Sequence, residues 1–395
     1  MRTSRVLSPS LALAVVSLVQ TSTAIAGDDQ FQELARKVVT VSANVKPGDV
    51  VMINGGKHDL ALMESLAIEA RKAGGMVTMT INTDRVARSF FTEVPEKYLD
   101  QQPKFFAEWL KQIDVYIGLP NFEDAKAVTA DVPEARFVKG NKAGAVVQDM
   151  LNASHVRAVF IAYPTRADAD ANKLDFASYE KMHWDAVNAD YALISEQGKT
   201  LQSRLKGAKT VHVTSPAGTD FTFSVGDRPV FVDDGIVTPE KAKSKLFITR
   251  TASLPGGQVF LAPIETSANG KIVVKKDQCR FAPLTDESLE FKNGKVVNYT
   301  AKEGADCAKQ SLTAAPDADL FTYLSIGLNP ALKVIEEGGD YRPDHGAGVV
   351  SVGTGYNNQL LGGKIKSPDG FGFTIVNATV EVDGKVVVKD GALTL

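Results

Sequence analysis

Pro47-Gly48-Asp49-Val50-Val51-Met52-Ile53, then Gly55-Gly56, a helical stretch from about Leu60 to Ala73, Gly74-Gly75, and Met76-Val77-Thr78-Met79-Thr80-Ile81 decide the class of fold. The Pro-Gly pair makes a turn, and the β-branched run that follows reads as a strand bounded by turn residues. Glycine pairs mark the exit from that strand and the end of the helix. Strand, helix and strand in this order form a βαβ unit, which predicts a parallel sheet.

The same texture extends outward. Val115-Tyr116-Ile117-Gly118 and Ala158-Val159-Phe160-Ile161-Ala162 read as further buried strands, with amphipathic helices around Pro103–Ile113 and Phe176–Ala189. Near Leu205-Lys206-Gly207 the pattern changes to period two, as in Thr210-Val211-His212-Val213-Thr214 and Asp220-Phe221-Thr222-Phe223-Ser224-Val225, broken by Gly and Pro turns. We therefore expect an α/β domain with a mostly parallel sheet over residues 27–205 and a β-rich (α+β) domain over 206–395. No repeat array or low-complexity linker separates them, so they should pack directly on each other.

Residues 1–26 read as a secretory signal peptide: Arg2 and Arg5, an apolar run through Leu11–Val19, and Ala24-Ile25-Ala26 before Gly27. The apolar run is too short to span a bilayer of about 30 Å as a helix. The expectation is an exported protein, periplasmic or extracellular, that does not stay in the membrane after cleavage. With 44 basic and 47 acidic residues interspersed and no basic block, the chain lacks the footprint of a nucleic-acid binder. Neither disorder nor a fibrous chain fits the composition, and small molecules or peptides are the expected partners. The two cysteines, Cys279 and Cys307, either pair in an oxidising compartment or remain as buried thiols. A bridge closing a loop of roughly 30 residues would stabilise by about 3 to 4 kcal/mol.

Ser253-Leu254-Pro255-Gly256-Gly257-Gln258-Val259-Phe260-Leu261-Ala262-Pro263 carries information of another kind. It resembles a motif of the aminopeptidase T family of dinuclear metallopeptidases, roughly Asn-Leu-Pro-x-Gly-Glu-Val-Phe-x-Ala-Pro. In that family the Glu bridges two metal ions; here the position is Gln258. Gly218-Thr219-Asp220-Phe221-Thr222-Phe223, Ile326-Gly327-Leu328-Asn329-Pro330 and Ala378–Lys385 resemble further scaffold motifs in the same order, and Lys46-Pro47-Gly48-Asp49 resembles a turn of the first domain. The resemblance implies that family's two-domain fold and makes a homodimer an expectation.

The implied metal ligands are mostly replaced. Tyr323 stands where the family has its second Glu, Val349 where it has its first His, and Gly372-Phe373-Thr374 where it has His-x-Asp; only the family's Tyr is kept, as Tyr356. Two divalent ions about 4 Å apart repel by roughly 17 kcal/mol at an effective dielectric of about 20, and anionic ligands must offset this. Gln, Tyr, Val, Gly and Thr carry no such charge. The histidines form no recognisable ligand spacing, and His345, four residues before Val349, would lie about 13 Å from it along an extended strand.

Other constellations have two readings each. Lys57-His58-Asp59 follows a strand, the place where open α/β sheets bind ligands, and is either an oriented base or a helix cap beside a surface histidine. Asp344-His345 is either an oriented imidazole near the pocket mouth or an exposed loop pair. Arg250 and Glu265, flanking the altered motif, are either holders of a zwitterionic ligand or solvated charges. Gly353-Thr354-Gly355-Tyr356-Asn357-Asn358 has no lysine and reads as a turn, and no Gly-x-Ser-x-Gly elbow is present.

The leading expectation is a protein on an aminopeptidase T scaffold that has lost its dinuclear site, needs no cofactor, and binds a small molecule or peptide or acts without metal. Its pocket would involve Gln258, Tyr323, Tyr356, Thr374, Glu265, Arg250 and His345. Gln258 and Tyr356 suit a neutral polar group such as an amide or hydroxyl. The alternatives are an active leucyl-type aminopeptidase or other metallohydrolase that holds divalent metal ions through displaced ligands, and an interaction or structural protein with a vestigial pocket.

Overall fold

A computed structural model describes residues 31–101, 103–279, 282–333, 344–366 and 370–395. The expected signal segment, residues 1–26, lies outside the described residues. Strands β1 (Val50–Gly56), β2 (Met76–Asn82), β3 (Val115–Gly118) and β4 (Arg157–Ile161) form the first sheet, all pairing in parallel. Val51, Met52 and Ile53 are buried on both faces of β1, as a central strand between helical layers requires. The helix Leu60–Lys72 joins β1 to β2 and turns Leu62, Met63, Leu66, Ala67 and Ala70 inward along one stripe.

The helix Tyr191–Leu205 carries Gly198 in its interior. Asp190 caps it, accepting from the backbone N–H groups of Ala192 and Leu193. The glycine has a packing reason: a Cβ there would come within 2.5 Å of Val232, so its absence lets the helix lie close against the second half.

The chain then lays down β5 (Val211–Thr214), β6 (Asp220–Phe223) and β7 (Val230–Asp233), and returns to the first sheet with β8 (Thr251–Leu254). β8 pairs in parallel with β4, Ala158 opposite Thr251 through Ile161 opposite Leu254, giving the five-stranded order β2-β1-β3-β4-β8. A strand from beyond residue 205 thus completes the earlier sheet. A four-residue run carries no local mark of which distant edge it will join.

The remaining strands are β9 (Gln258–Leu261), β10 (Asn269–Cys279), β11 (Ala282–Lys292), β12 (Lys295–Thr300), β13 (Phe321–Gly327), β14 (Val350–Thr354), β15 (Phe371–Ile375), β16 (Thr379–Val382), β17 (Lys385–Lys389) and β18 (Ala392–Leu393). They make an eight-stranded antiparallel sheet, β12-β11-β10-β6-β5-β16-β17-β18, and a five-stranded antiparallel sheet, β15-β14-β13-β9-β7. The architecture is thus an α/β parallel sheet followed by a β-rich region. Phe221, Phe223, Phe291 and Phe321 meet edge to face between the two antiparallel sheets, with centroids 5.0 Å apart in three of the pairs. Among the described residues no helix is long and apolar enough to cross a membrane.

The β9–β13–β14–β15 sheet has two unlike faces. Val259, Leu261, Leu324, Ile326, Val350, Val352, Phe373 and Ile375 enter the main core. By the period of two, Gln258, Phe260, Tyr323, Ser325, Ser351 and Thr374 share the opposite face, and on that face the candidate site is built.

Cys279, at the end of β10, is disulfide-bonded to Cys307 in the helix Ala305–Thr313, across a separation of 28 residues. Replacing both cysteines by serine should lower the unfolding free energy by about 3 to 4 kcal/mol. Urea denaturation of the two forms measures this, and an unchanged midpoint would show that the loop closure contributes nothing to stability.

Candidate functional site

The altered motif begins as β8 and ends as β9, so its central turn, Pro255-Gly256-Gly257, passes directly from the parallel sheet to the antiparallel one. Gly257 has φ of +123°, and a Cβ on it would come within 2.9 Å of the Asn329 backbone nitrogen. Only glycine fits that conformation at that approach. Gln258 pairs in register with Gly327 on one side and Asp233 on the other, which brings Asp233 beside the motif.

Around this junction lies a cavity of about 430 Å³, within the roughly 300–1,000 Å³ usual for small-ligand sites. Gln258, Tyr323 and Tyr356 line it, together with Asp233, Asp344 and Asn358. Phe260, Tyr323 and Tyr356 form a continuous aromatic wall: the Tyr323 ring is 6.4 Å from Phe260 and 5.9 Å from Tyr356. The Tyr323 hydroxyl donates to Gln258 Oε1 at 3.4 Å. Burial first, and then the charges of Asp344 and Asp233, push the Tyr323 phenol well above its ordinary pKa, so it stays a neutral donor. The Tyr356 ring rests over Gly353, where a Cβ would come within 2.5 Å of it, and its backbone N–H donates to Thr322 Oγ1 at 2.9 Å.

The structure gives four of the expected pocket residues other tasks. Arg250 is buried, and its guanidinium donates to the carbonyls of Val156, Ser244 and Ser154 at 3.1, 2.7 and 2.6 Å. It ties the start of β8 to the loop before β4 and does not line the cavity at Gln258. Glu265 is also buried, accepting from Arg228 at 2.6 Å, from Asn358 Nδ2 at 3.0 Å and from the Lys364 backbone at 2.7 Å. It stands behind the wall and holds Asn358 in place. Arg250 and Glu265 are therefore buried and hydrogen-bonded within the protein, and neither is a solvated surface charge.

Thr374 lies on β15 with its backbone N–H donating to Asp277 Oδ2 at 3.3 Å, and it does not line the cavity. His345 sits in a turn before β14 rather than in an extended strand, so the 13 Å offset does not describe it. Its Nδ1 donates to the Pro255 carbonyl at 2.8 Å. Its neighbour Asp344 reaches the cavity instead.

Asp233 is the site residue that sequence reading missed, whereas the sequence offers Asp344 only as the partner of His345 near the pocket mouth. Asp233 ends β7 ahead of Asp234-Gly235, where an acid reads as a turn residue. The imidazole of His58 lies elsewhere, 3.0 Å from buried Asp59, whose other oxygen accepts the Gly56 N–H. Burial draws the His58 pKa down, but the bond and charge of Asp59, with Glu123 and Asp84, more than offset it and hold it above the ordinary value. Asp59 thus caps the helix start and orients His58 at once, away from the cavity described above.

The positions at which the resemblance implies a dinuclear centre do not fit one. Gln258 and Tyr323 are neutral donors, Val349 is buried and apolar, and no group of three or more His, Cys, Asp or Glu is placed to hold a metal among the described residues. Two carboxylates at the cavity fall short of the ligand sets that such centres use.

With the geometry in place, the comparisons with known proteins are as follows. Residues 27–330 match the family described as thermophilic metalloprotease (M29). A 2,5-dihydroxypyridine 5,6-dioxygenase of Pseudomonas putida is 25% identical over 209 residues, covering 48% of this chain and 55% of that protein. The chain thus spans about half the length of this curated relative. Among solved structures, wild-type AmpT from Thermus thermophilus has a TM-score of 0.73 at 15% identity, covering 92% of this chain and 99% of that one. The structure of the Pseudomonas putida dioxygenase has a TM-score of 0.61 at 16% identity, covering 92% and 97%. At such identities the two likenesses establish the fold.

The role assigned to Arg250 is testable. Arg250→Ala should leave three carbonyls short of a donor and destabilise the protein by about 2 to 4 kcal/mol, read by urea denaturation. Full stability in that variant would return Arg250 to the list of ligand-binding candidates.

Proposed function

The chain belongs to the thermophilic metalloprotease family, and from that premise we propose that this member uses the family scaffold to bind a small molecule or peptide in the cavity at Gln258, without a dinuclear metal centre. The observation that carries this is the donor set: a charge-neutral amide and phenol occupy the places where paired cations would need anions. Scaffold alone does not settle chemistry, and one relative of this chain is named as a dioxygenase acting on 2,5-dihydroxypyridine. Export into an oxidising compartment is part of the same proposal, and the Cys279–Cys307 bridge supports it.

In this cavity each group has a definable task. Gln258 accepts the Tyr323 proton with its oxygen and keeps its amide N–H groups to donate to a ligand oxygen. Tyr356, at 38% exposure, stands at the rim, and Asn358, fixed by Glu265, adds a polar edge. The aromatic wall excludes water from an apolar ligand body. Hydrolysis would also need a group to activate water, and no residue here is assigned to that step.

A thermal-shift screen of small amides, alcohols, amines, hydroxypyridines and dipeptides, run with excess chelator and followed by calorimetry, tests the proposal. Tyr356→Phe and Gln258→Leu should each keep the fold and weaken the best screened ligand by about 1 to 3 kcal/mol per buried partner left unpaired. Unchanged affinity in both variants would move the working site elsewhere and favour the vestigial-pocket reading.

A further inference from the structure

The cavity carries a charge imbalance that its hydrogen bonding does not resolve. Asp233 is 93% buried, being only 7% exposed. One of its oxygens accepts from the backbone N–H groups of Gly235 and Ser253 at 3.3 and 3.1 Å, and the other has no hydrogen bond among the described residues. Asp344, on the facing loop, forms no hydrogen bond or ion pair among the described residues. No described residue that lines the cavity is Lys, Arg or His. The nearby buried cations are committed elsewhere, Arg228 to Glu265 and Arg250 to three carbonyls.

Two carboxylates without counter-ions among the described residues, lining one cavity with Phe260, Tyr323 and Tyr356, match the requirements of an organic cation. The ring quadrupoles attract a positive charge, and the carboxylates supply the charge-assisted hydrogen bonds that an ammonium donates. Asp233 and Asp344 line the same cavity as Tyr323. An inorganic cation would leave the apolar wall without a partner. A zwitterion would bring a carboxylate into a cavity that already holds two and that offers, among the described residues, no guanidinium or ammonium to receive it.

We propose that the cavity takes a small amine cation without a carboxylate group, its charged nitrogen between Asp233 and Asp344 and its apolar body against the aromatic wall. The proposal rests on reading this cavity as the working site, and it narrows the ligand class: free amino acids and short peptides are disfavoured, whereas arylalkyl or alkyl amines are favoured. Gln258 and Tyr356 can then serve a hydroxyl or amide on the same molecule.

Three probes of one shape test it by calorimetry on the full chain at neutral pH with chelator present: 2-phenylethylamine, phenylalanine and 2-phenylethanol. The expected result is that the amine binds more tightly than the other two by about tenfold or more. Asp344→Asn should remove most of that preference while leaving the weaker binding of 2-phenylethanol unchanged, and Asp233→Asn should do the same if its backbone contacts persist. Circular dichroism checks that each variant is folded, and the wild-type ranking stands independently of both. Equal or tighter binding of phenylalanine overturns the proposal, as does absence of amine binding at millimolar concentration. If 2-phenylethanol binds as well as the amine, the cavity remains a ligand site but not one for cations. Stoichiometric calcium binding that Asp344→Asn abolishes, measured without chelator, would replace the amine with an inorganic ion.

Discussion

Asn329 is the residue on which the arrangement of the two halves turns. Fully buried, it donates from its side-chain amide to the carbonyls of Gly256 and Ala186 at 2.8 and 2.9 Å, while its Oδ1 accepts from Ala331 at 3.1 Å. The preceding N–H of Leu328 donates to Gly257 at 2.8 Å, and His345 closes the same knot through Pro255. The contacts to Pro255, Gly256 and Gly257 fix this turn, the covalent step between β8 in the parallel sheet and β9 in the antiparallel one. A buried amide with several partners is costly to leave half-satisfied, so this turn has little freedom. The cavity takes its shape from that fixed junction.

The same contacts explain why parts of the family motifs persist here after the metal ligands have been replaced. Leu254-Pro255-Gly256-Gly257 and Leu328-Asn329-Pro330 touch each other, and their residues serve the backbone geometry of the junction. Gln258, Tyr323 and Thr374 project from the strands that the junction positions, and their identity is free to change without disturbing it. Scaffold and chemistry are thus carried by different atoms of neighbouring residues, which is why a metalloprotease family can include a chain whose described donors do not suit two metal ions.

Much of the fold was legible because it is local. β1, the helix after it and β2 announce themselves through burial period, glycines and turn residues, and the period-two strands of the second half do likewise. What was not legible is long-range. Nothing in Thr251–Leu254 selects β4, nearly a hundred residues earlier, as its partner, and Gly198 reads as a helix breaker until Val232 is seen pressed against it. At the site, Gln258, Tyr323 and Tyr356 were legible as residues standing in motif positions. Asp233 was not, because it ends a strand just ahead of a turn where acids are ordinary, and only the pairing of β7 with β9 sets it beside Gln258; Asp344 was legible only as the neighbour of His345. The burial of Arg250 and Glu265 was not legible for the converse reason: a charge that looks solvated in sequence can be buried when several distant carbonyls or amides satisfy it.

The central claim is that the family's metal chemistry has been replaced at this junction by neutral and uncompensated anionic groups that recognise a ligand directly. Elemental analysis of the full chain, purified without chelator and dialysed against metal-free buffer, tests it most directly. Zinc, cobalt, manganese and iron should each fall far below one equivalent per chain. Near-stoichiometric metal that survives dialysis, and whose removal abolishes an activity, would contradict it and return the protein to the metalloenzymes of its family.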